Sequence, residues 1–406
     1  FNADRHSAES RKRTIMQISW KIWLCGVILP FVISALLVWL IHPLVVRIAK
    51  LKNIVDNPNA RKLQKRPIPV LGGVAVFWGI VVGAGVESLF FNTYALFTCV
   101  VTMTMMLFVG IGDDILGLPA VGRLLIEFAM IVFVAIMDHT CINDFHGLFG
   151  IYDFSLWIAL PLSCIAGAGI INSINMIDGV DGLSSGYCIM ACLAFGVTFC
   201  LAFDGTMGIM CSLSAGALIP FFLHNLFGNK SKMFVGDGGT MMMGMLMSIF
   251  CMRMIYHGSL VQYTFTNMGV VAYSLSILSV PVFDTLRVMM GRIINGVSPF
   301  HPDRSHLHHL FLEIGFSHPV TTFIVLSLNL FNMLCWLLAY QLGADDTVQF
   351  LVVVLVGFFN TCGIYWIVRR LNHDHFIYRA LHRLAIKSHV ERGPVFLKIQ
   401  RIVDRS

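Results

Sequence analysis

Charge is what this chain has least of. Asp and Glu number 22 and Lys and Arg 28 among 406 residues, so only 12% of the sequence is charged while 57% is hydrophobic. Soluble domains carry about 25% charged residues, so a soluble fold is excluded. The apolar runs are continuous rather than alternating in polarity, which excludes a β-barrel. The eleven cysteines form no CxxC pair and no metal-ligand spacing, and most lie inside apolar runs, where they read as small buried hydrophobes. No internal repeat, low-complexity region or separate soluble domain is evident. The first apolar run is too long for a cleavable signal and lacks a small-residue cleavage site. The methionines of "TMMMGMLMS" (240–248) read as helix packing rather than a metal relay.

What remains is an all-α, polytopic integral membrane protein. Stretches of 17 or more nearly uncharged residues each suffice to cross a hydrocarbon core of roughly 30 Å. About eleven spans are predicted, near 19–43, 68–91, 95–112, 122–138, 155–175, 183–203, 207–228, 240–256, 265–294, 320–342 and 347–368. The ninth contains Pro281 and Asp284 and is expected to bend or break. The chain divides into a tail over 1–18 (external or an extraneous remnant), a transmembrane catalytic domain over 19–368 and a basic tail over 369–406. That last tail is intermittently apolar, which predicts an interfacial segment touching anionic headgroups.

Loops after odd-numbered spans with their flanking span ends, and the final tail, hold 22 of the 28 Lys and Arg; loops after even-numbered spans with theirs hold one, Arg253, beside seven acids. The positive-inside rule makes the odd loops cytoplasmic and the N-terminus external. The five basic residues before residue 22 run against that assignment.

Four polar clusters follow spans three, five, seven and nine, hence share the cytoplasmic face. They are "GIGDDILGL" (Asp113, Asp114), "NSINMIDGVDGL" (Asn172, Asn175, Asp178, Asp181), "MFVGDGGT" (Asp237) and "SPFHPDRSHLHH" (His301, Asp303, Arg304, His306, His308, His309). Acids near a hydrocarbon boundary need a polar cavity or a countercharge. Asp178 and Asp181, three apart, would meet at one locus on a helical turn. Adjacent Asp113 and Asp114 diverge by about 100° and serve different partners. Oxygen-rich, cysteine-free clustering suits Mg²⁺ or Mn²⁺ with substrate phosphates. Helix capping by the paired aspartates and an ordinary turn at Asp237 are the plainer alternatives. A zinc site at His306, His308 and His309 lacks the i, i+4 pair and has Arg304 beside it; Arg with His fits phosphate better. Asp284 and Arg287, one turn apart, read as an internal ion pair.

In order and spacing these motifs resemble the polyprenyl-phosphate N-acetylhexosamine-1-phosphate transferases. The resemblance runs from "DNPNARKLQKRPIPVLGG" to "SPFHPDRSHLHH". Leu307 interrupts the histidines, as in the branch that transfers GlcNAc-1-phosphate rather than the branch acting on UDP-N-acetylmuramoyl-pentapeptide. It implies transfer from UDP-GlcNAc to undecaprenyl phosphate, giving undecaprenyl-diphospho-GlcNAc and UMP, as the first membrane step of O-antigen or common-antigen assembly. It further implies Mg²⁺ or Mn²⁺, a cytoplasmic site in the bacterial inner membrane, a homodimer and no nucleic acid. Carried over by position, Asp237 with Asp114 resembles the metal ligands and Asp113 and Asp114 the pair at the phosphates. Asn175 and Asp178 resemble the site lining; Asp181, Phe234 and Lys65 resemble residues holding uridine. Arg304 and the histidines His301, His306, His308 and His309 resemble the group contacting diphosphate and sugar. Another UDP-N-acetylhexosamine is the alternative donor, and an ion-coupled transporter the rival class.

Overall fold

The computed structural model describes residues 24–57, 66–89, 94–202, 204–301 and 303–405. Lys65 and the 1–18 tail lie outside the described residues. After a π-turn at Leu24–Ile28 come α1 (Leu29–Leu51), α2 (Gly72–Glu87), α3 (Tyr94–Leu116), α4 (Ala120–Met137), α5 (Leu156–Met176), α6 (Leu183–Leu201), α7 (Gly205–Phe227) and α8 (Gly236–Tyr256). They are followed by the short α9 (Gly258–Thr264), α10 (Val270–Ile294), the short α11 (Leu307–Ile314) and α12 (His318–Gln341). The chain ends in α13 (Asp346–Phe358), which passes through a π-turn (Phe359–Gly363) into α14 (Ile364–Arg370), then α15 (Phe376–Lys387) and α16 (Pro394–Val403). One two-stranded antiparallel ribbon pairs β1 (Val55–Asp56) with β2 (Ile68–Pro69).

The protein is thus an all-α polytopic membrane protein, and helices occupy all eleven predicted intervals. Among the described residues nine are long and apolar enough to cross a membrane. The other two fall short for physical reasons. With 16 residues α2 is about 24 Å long, and α10 carries Asp284, Arg287 and Arg292. The first helix also runs further than predicted, through Pro43 to Leu51, because Arg47 and Lys50 can reach polar surroundings from its last turns.

Burial runs opposite to apolarity. The helix spanning Gly236–Tyr256 is 94% buried, whereas Gly26–Leu51 and Ala120–Met137 are 22% and 17% buried. The central α8 packs most extensively on α3 and α5, and Met241, Met242, Met243, Met245 and Met247 all point into the core. Unbranched methionine fills irregular gaps between helices. Around this core α1 presents Leu36, Leu40 and Leu44, each more than half exposed, a lipid-facing stripe at helical spacing. Cys99 and the nine cysteines after it are free thiols.

The ninth interval forms one uninterrupted helix, so no break occurs at Pro281. Proline has no N–H for the carbonyl four residues earlier, and that carbonyl, of Ile277, is satisfied from outside. Asn329 on α12 donates to it through Nδ2 (2.9 Å), and the Tyr187 hydroxyl on α6 donates as well. The same Asn329 accepts through Oδ1 from the Val280 N–H and the Ser279 hydroxyl (3.0 Å each). One buried amide therefore holds α10 together and ties it to α12.

Polar side chains segregate to two ends. Arg253 donates to Asp204 (3.0 Å) and Thr140 (3.3 Å), and Thr98 donates to Asp138 (2.8 Å). These residues flank even-numbered loops; the odd-numbered loops converge on one another at the candidate site.

Replacing Asn329 with leucine leaves the Ile277 carbonyl to Tyr187 alone and removes the side-chain acceptor of the Val280 N–H and the Ser279 hydroxyl. It is expected to cost about 1–3 kcal/mol, read as a lowered thermal unfolding midpoint in detergent. Leu330→Ala, on the exposed neighbouring face, is expected to stay within about 0.5 kcal/mol.

Candidate active site

The C-terminal end of α3 abuts the N-terminal end of α8. A Cβ on Gly110 would lie 2.4 Å from the Asp237 carbonyl carbon and the Gly238 Cα, so only glycine allows this approach. Gly236 turns into α8 with φ +74°, a conformation that favours glycine. Asp114 then caps α8, its Oδ2 accepting from the Asp237 N–H (2.9 Å). A carboxylate there also complements the helix dipole.

Its neighbour Asp113 faces elsewhere, as expected of adjacent helical positions. Its Oδ1 accepts from the Leu118 N–H (2.7 Å) and its Oδ2 pairs with Arg123 at the start of α4. The Asp237 carboxyl lies beside both, in hydrogen-bonding reach of Asp113 and electrostatically coupled to Asp114. Among the described residues these three carboxylates have one basic side chain beside them, Arg123, which pairs with Asp113. Such a group holds together only with a shared proton or a bound cation.

The wall opposite Asp237 is the end of α5. Asn175 accepts from Thr240, one turn into α8 (3.0 Å), while Asn172 donates to the buried Glu127 on α4 (2.6 Å). Because α5 stops at Met176, Asp178 and Asp181 sit in a turn rather than on a helical face. The helical turn expected at Asp178 and Asp181 is therefore not formed, although the two carboxylates still feel each other's charge. Asp178 accepts from Ser184; Asp181 pairs with Lys232 (2.5 Å) and His318 (3.1 Å). Burial pushes the Asp178 carboxyl up to about 7, with Asp181 and Asp114 adding to the rise. Asp181 is buried too, but His318 and Lys232 outweigh that and hold it below its ordinary range.

Phe234 reaches this wall through backbone pairing. Its N–H donates to Pro69 (2.8 Å) and its carbonyl accepts from Gly72 (3.0 Å), so the ribbon β1–β2 fixes the strand leading into Asp237.

The histidine cluster joins the site through one contact. A Cβ on Gly179 would come within 2.4 Å of His308 Nε2, so α11 sits directly on the Asp178–Asp181 turn. That Nε2 is buried and has no hydrogen-bond partner among the described residues. His308 and His309 rings lie 4.3 Å apart. Burial lowers His308 well below its ordinary value, and burial with Arg304 nearby brings His309 down to about 4. Both are neutral imidazoles at pH 7. His306 turns away to Asp284 (2.9 Å), which also accepts from the Leu307 N–H and pairs with Arg287 (2.6 Å); the expected ion pair is present and anchors α11. Arg304 lies at the exposed surface, electrostatically coupled to His309.

His301 is not gathered with the carboxylates. It lines a cavity of about 740 Å³ between α10 and α14, with Arg287, Arg292, Tyr365 and Trp366; none of the site carboxylates lines it. Arg292 holds Asp303 in a two-pronged pair (3.0 Å each). Arg123, Lys232, His318, Ser184 and Thr240 were not singled out in the sequence. The signal available for Arg123 and Lys232 was position, as scarce cations in the same loops as the acids.

Among the described residues no three His, Cys, Asp or Glu side chains are arranged to hold a metal ion by themselves. Asp114 and Asp237 would offer Mg²⁺ or Mn²⁺ the one or two carboxylates such ions take, with the remaining ligands drawn from water and phosphate.

Residues 96–255 match the family described as glycosyl transferase family 4. The chain is 30% identical over 304 residues to a probable undecaprenyl-phosphate N-acetylglucosaminyl 1-phosphate transferase of Bacillus subtilis, covering 74% of this chain and 81% of that protein. It is 29% identical over 345 residues to the undecaprenyl-phosphate alpha-N-acetylglucosaminyl 1-phosphate transferase of Escherichia coli K12, covering 83% and 90%. The Salmonella typhi protein of the same description is 28% identical over 292 residues, covering 71% and 76%.

Folded Asp178 releases its proton near pH 7, whereas the unfolded carboxyl does so near 3.9. Stability is therefore present below about pH 4 and lost as pH rises toward 7. In EDTA, Asp178→Asn is expected to raise the unfolding midpoint at pH 8 and to leave it nearly unchanged at pH 4.

Proposed function

Because the chain belongs to the polyprenyl-phosphate N-acetylhexosamine-1-phosphate transferases, within glycosyl transferase family 4, we propose that it transfers GlcNAc-1-phosphate from UDP-GlcNAc to undecaprenyl phosphate. The products are undecaprenyl-diphospho-GlcNAc and UMP, at the cytoplasmic face of a bacterial inner membrane. The observation that carries this reading is the convergence of carboxylates from three loops with Arg123, Lys232 and neutral histidines at one end of a membrane bundle.

An oxygen of the lipid phosphate attacks the β-phosphorus of the sugar nucleotide, and the bond from that phosphorus to the bridging oxygen breaks as UMP leaves. One phosphoanhydride replaces another, so no further energy source is required. A phosphate monoester has a second pKa near 6, so the acceptor is largely dianionic at pH 7 and a general base contributes little. Two polyanions must meet, so charge neutralisation dominates. Arg123, seated on Asp113 and part exposed, faces the acceptor phosphate; Asp113 orients it. Asp237 with Asp114 would hold Mg²⁺ or Mn²⁺, which when bound supplies charge neutralisation at the diphosphate. The Asp181–Lys232–His318 group and Phe234 form the uridine side. His308, through its open Nε2, and Arg304 with His309 serve the diphosphate and sugar. A related UDP-N-acetylhexosamine fits the same chemistry. The transporter reading is disfavoured because Asp113, Asp114, Asp178, Asp181 and Asp237 sit at helix ends or in a turn rather than at mid-depth.

Purified protein with undecaprenyl phosphate and a panel of UDP-sugars is expected to release UMP with Mg²⁺ or Mn²⁺ and not with EDTA. Asp237→Asn is expected to abolish release at every metal concentration, and substantial residual turnover would remove Asp237 from the metal site. Arg123→Gln is expected to lower kcat/KM for the lipid by about 10²-fold or more.

A further inference from the structure

The reaction leaves the C-terminal helices unused, yet they brace the site from two directions. On α15, Ala385 is fully buried and His382 Nδ1 meets the Ile314 carbonyl (2.6 Å), seating the helix on the end of α11. On α16, the buried Phe396 packs on Phe227 at the end of α7, ring centres 4.9 Å apart. Asp404 then grips the next loop. One of its oxygens accepts from the N–H groups of Asn229 (3.0 Å), Lys230 (2.9 Å) and Ser231 (3.1 Å) and from the Ser231 hydroxyl (3.0 Å). The following residue is Lys232, the partner of Asp181, and Phe234 and Asp237 come shortly after.

The outward faces of the two helices share a pattern. Ile377 and Leu384 are exposed seven residues apart on α15, and Val395 and Ile402 seven residues apart on α16, so each pair lies on one helical face. Beside them stand Arg383 and Lys387, and Lys398 and Arg401, all exposed and making no ion pair among the described residues. Water disfavours the first feature and does not need the second; an anionic bilayer surface favours both. The segment begins directly after the candidate span Asp346–Arg370, which keeps it near the membrane.

We propose that α15 and α16 form an anionic-lipid-binding clamp. Seated on the bilayer, it holds α11 and the Asn229–Ser231 loop in the register the site needs. Asp404 is the positioning residue that passes this order to Lys232. The catalytic consequence rests on the function proposed above; the lipid surface itself does not.

The test uses the full chain in nanodiscs of phosphatidylcholine, with or without about 30 mol% phosphatidylglycerol, read by hydrogen exchange. Residues 376–403, 228–235 and 307–314 are expected to gain protection with phosphatidylglycerol and to lose that gain near 1 M salt, where screening is nearly complete. Each basic side chain among Arg383, Lys387, Lys398 and Arg401 replaced by glutamine is expected to weaken lipid-dependent protection about fivefold. Asp404→Asn is expected to keep the gain at 376–403 and lose it at 228–235, with a matching fall in sugar-phosphate transfer. Identical exchange in both discs overturns the proposal. So does equal protection by soluble heparin in phosphatidylcholine discs, which would point to a soluble partner. If wild type transfers no sugar phosphate in either disc, the functional reading fails while the exchange result still decides the clamp.

Discussion

The site depends on how closely two helix ends approach. Where α3 meets α8, Gly110 lets the two backbones approach, since a Cβ there would strike Asp237 and Gly238, and Asp114 accepts the N–H of Asp237 in the first turn of α8. A helix start leaves its first N–H groups unpaired, and in a membrane protein each costs several kcal/mol if left dry. Capping across helices answers that cost and also brings a second and third carboxylate to Asp114. The repulsion this creates is a condition of the fold, and it makes the place receptive to cations.

Other parts of the molecule repeat the theme that polar groups do double service. Asn329 completes a proline-interrupted helix and joins it to its neighbour. Asp284 caps α11, orients His306 and pairs with Arg287. Neither residue touches the carboxylates, yet α10 and α11 owe their relative placement to them. Asn329 and Asp284 are each held by several partners at once.

Family membership and geometry bear on different questions. Similarity to undecaprenyl-phosphate N-acetylglucosaminyl 1-phosphate transferases supplies the reaction class. The convergence of Asp113, Asp114 and Asp237, with His308 on the Gly179 turn, gives the proposed reaction its candidate place. The tail adds a third element, since Asp404 and His382 reach the same two walls from outside.

Much was legible in the sequence. Long uncharged runs dictate helices because nothing else satisfies backbone groups in hydrocarbon, and loop parity already grouped the four polar clusters. Adjacent Asp113 and Asp114 part because helical geometry makes them. What the sequence could not reveal was any property depending on who stands opposite. Asp178 and Asp181 share a spacing but not a partner, since α5 ends before them. His301 belongs to the α10–α14 cavity, though it neighbours the site histidines in sequence. Arg123, Lys232 and His318 acquire meaning only from the acids that packing delivers to them. Local propensity and hydropathy are properties of a segment and can be read from it. Ion pairs, caps across helices and glycine contacts are properties of two segments at once, decided only when the bundle closes.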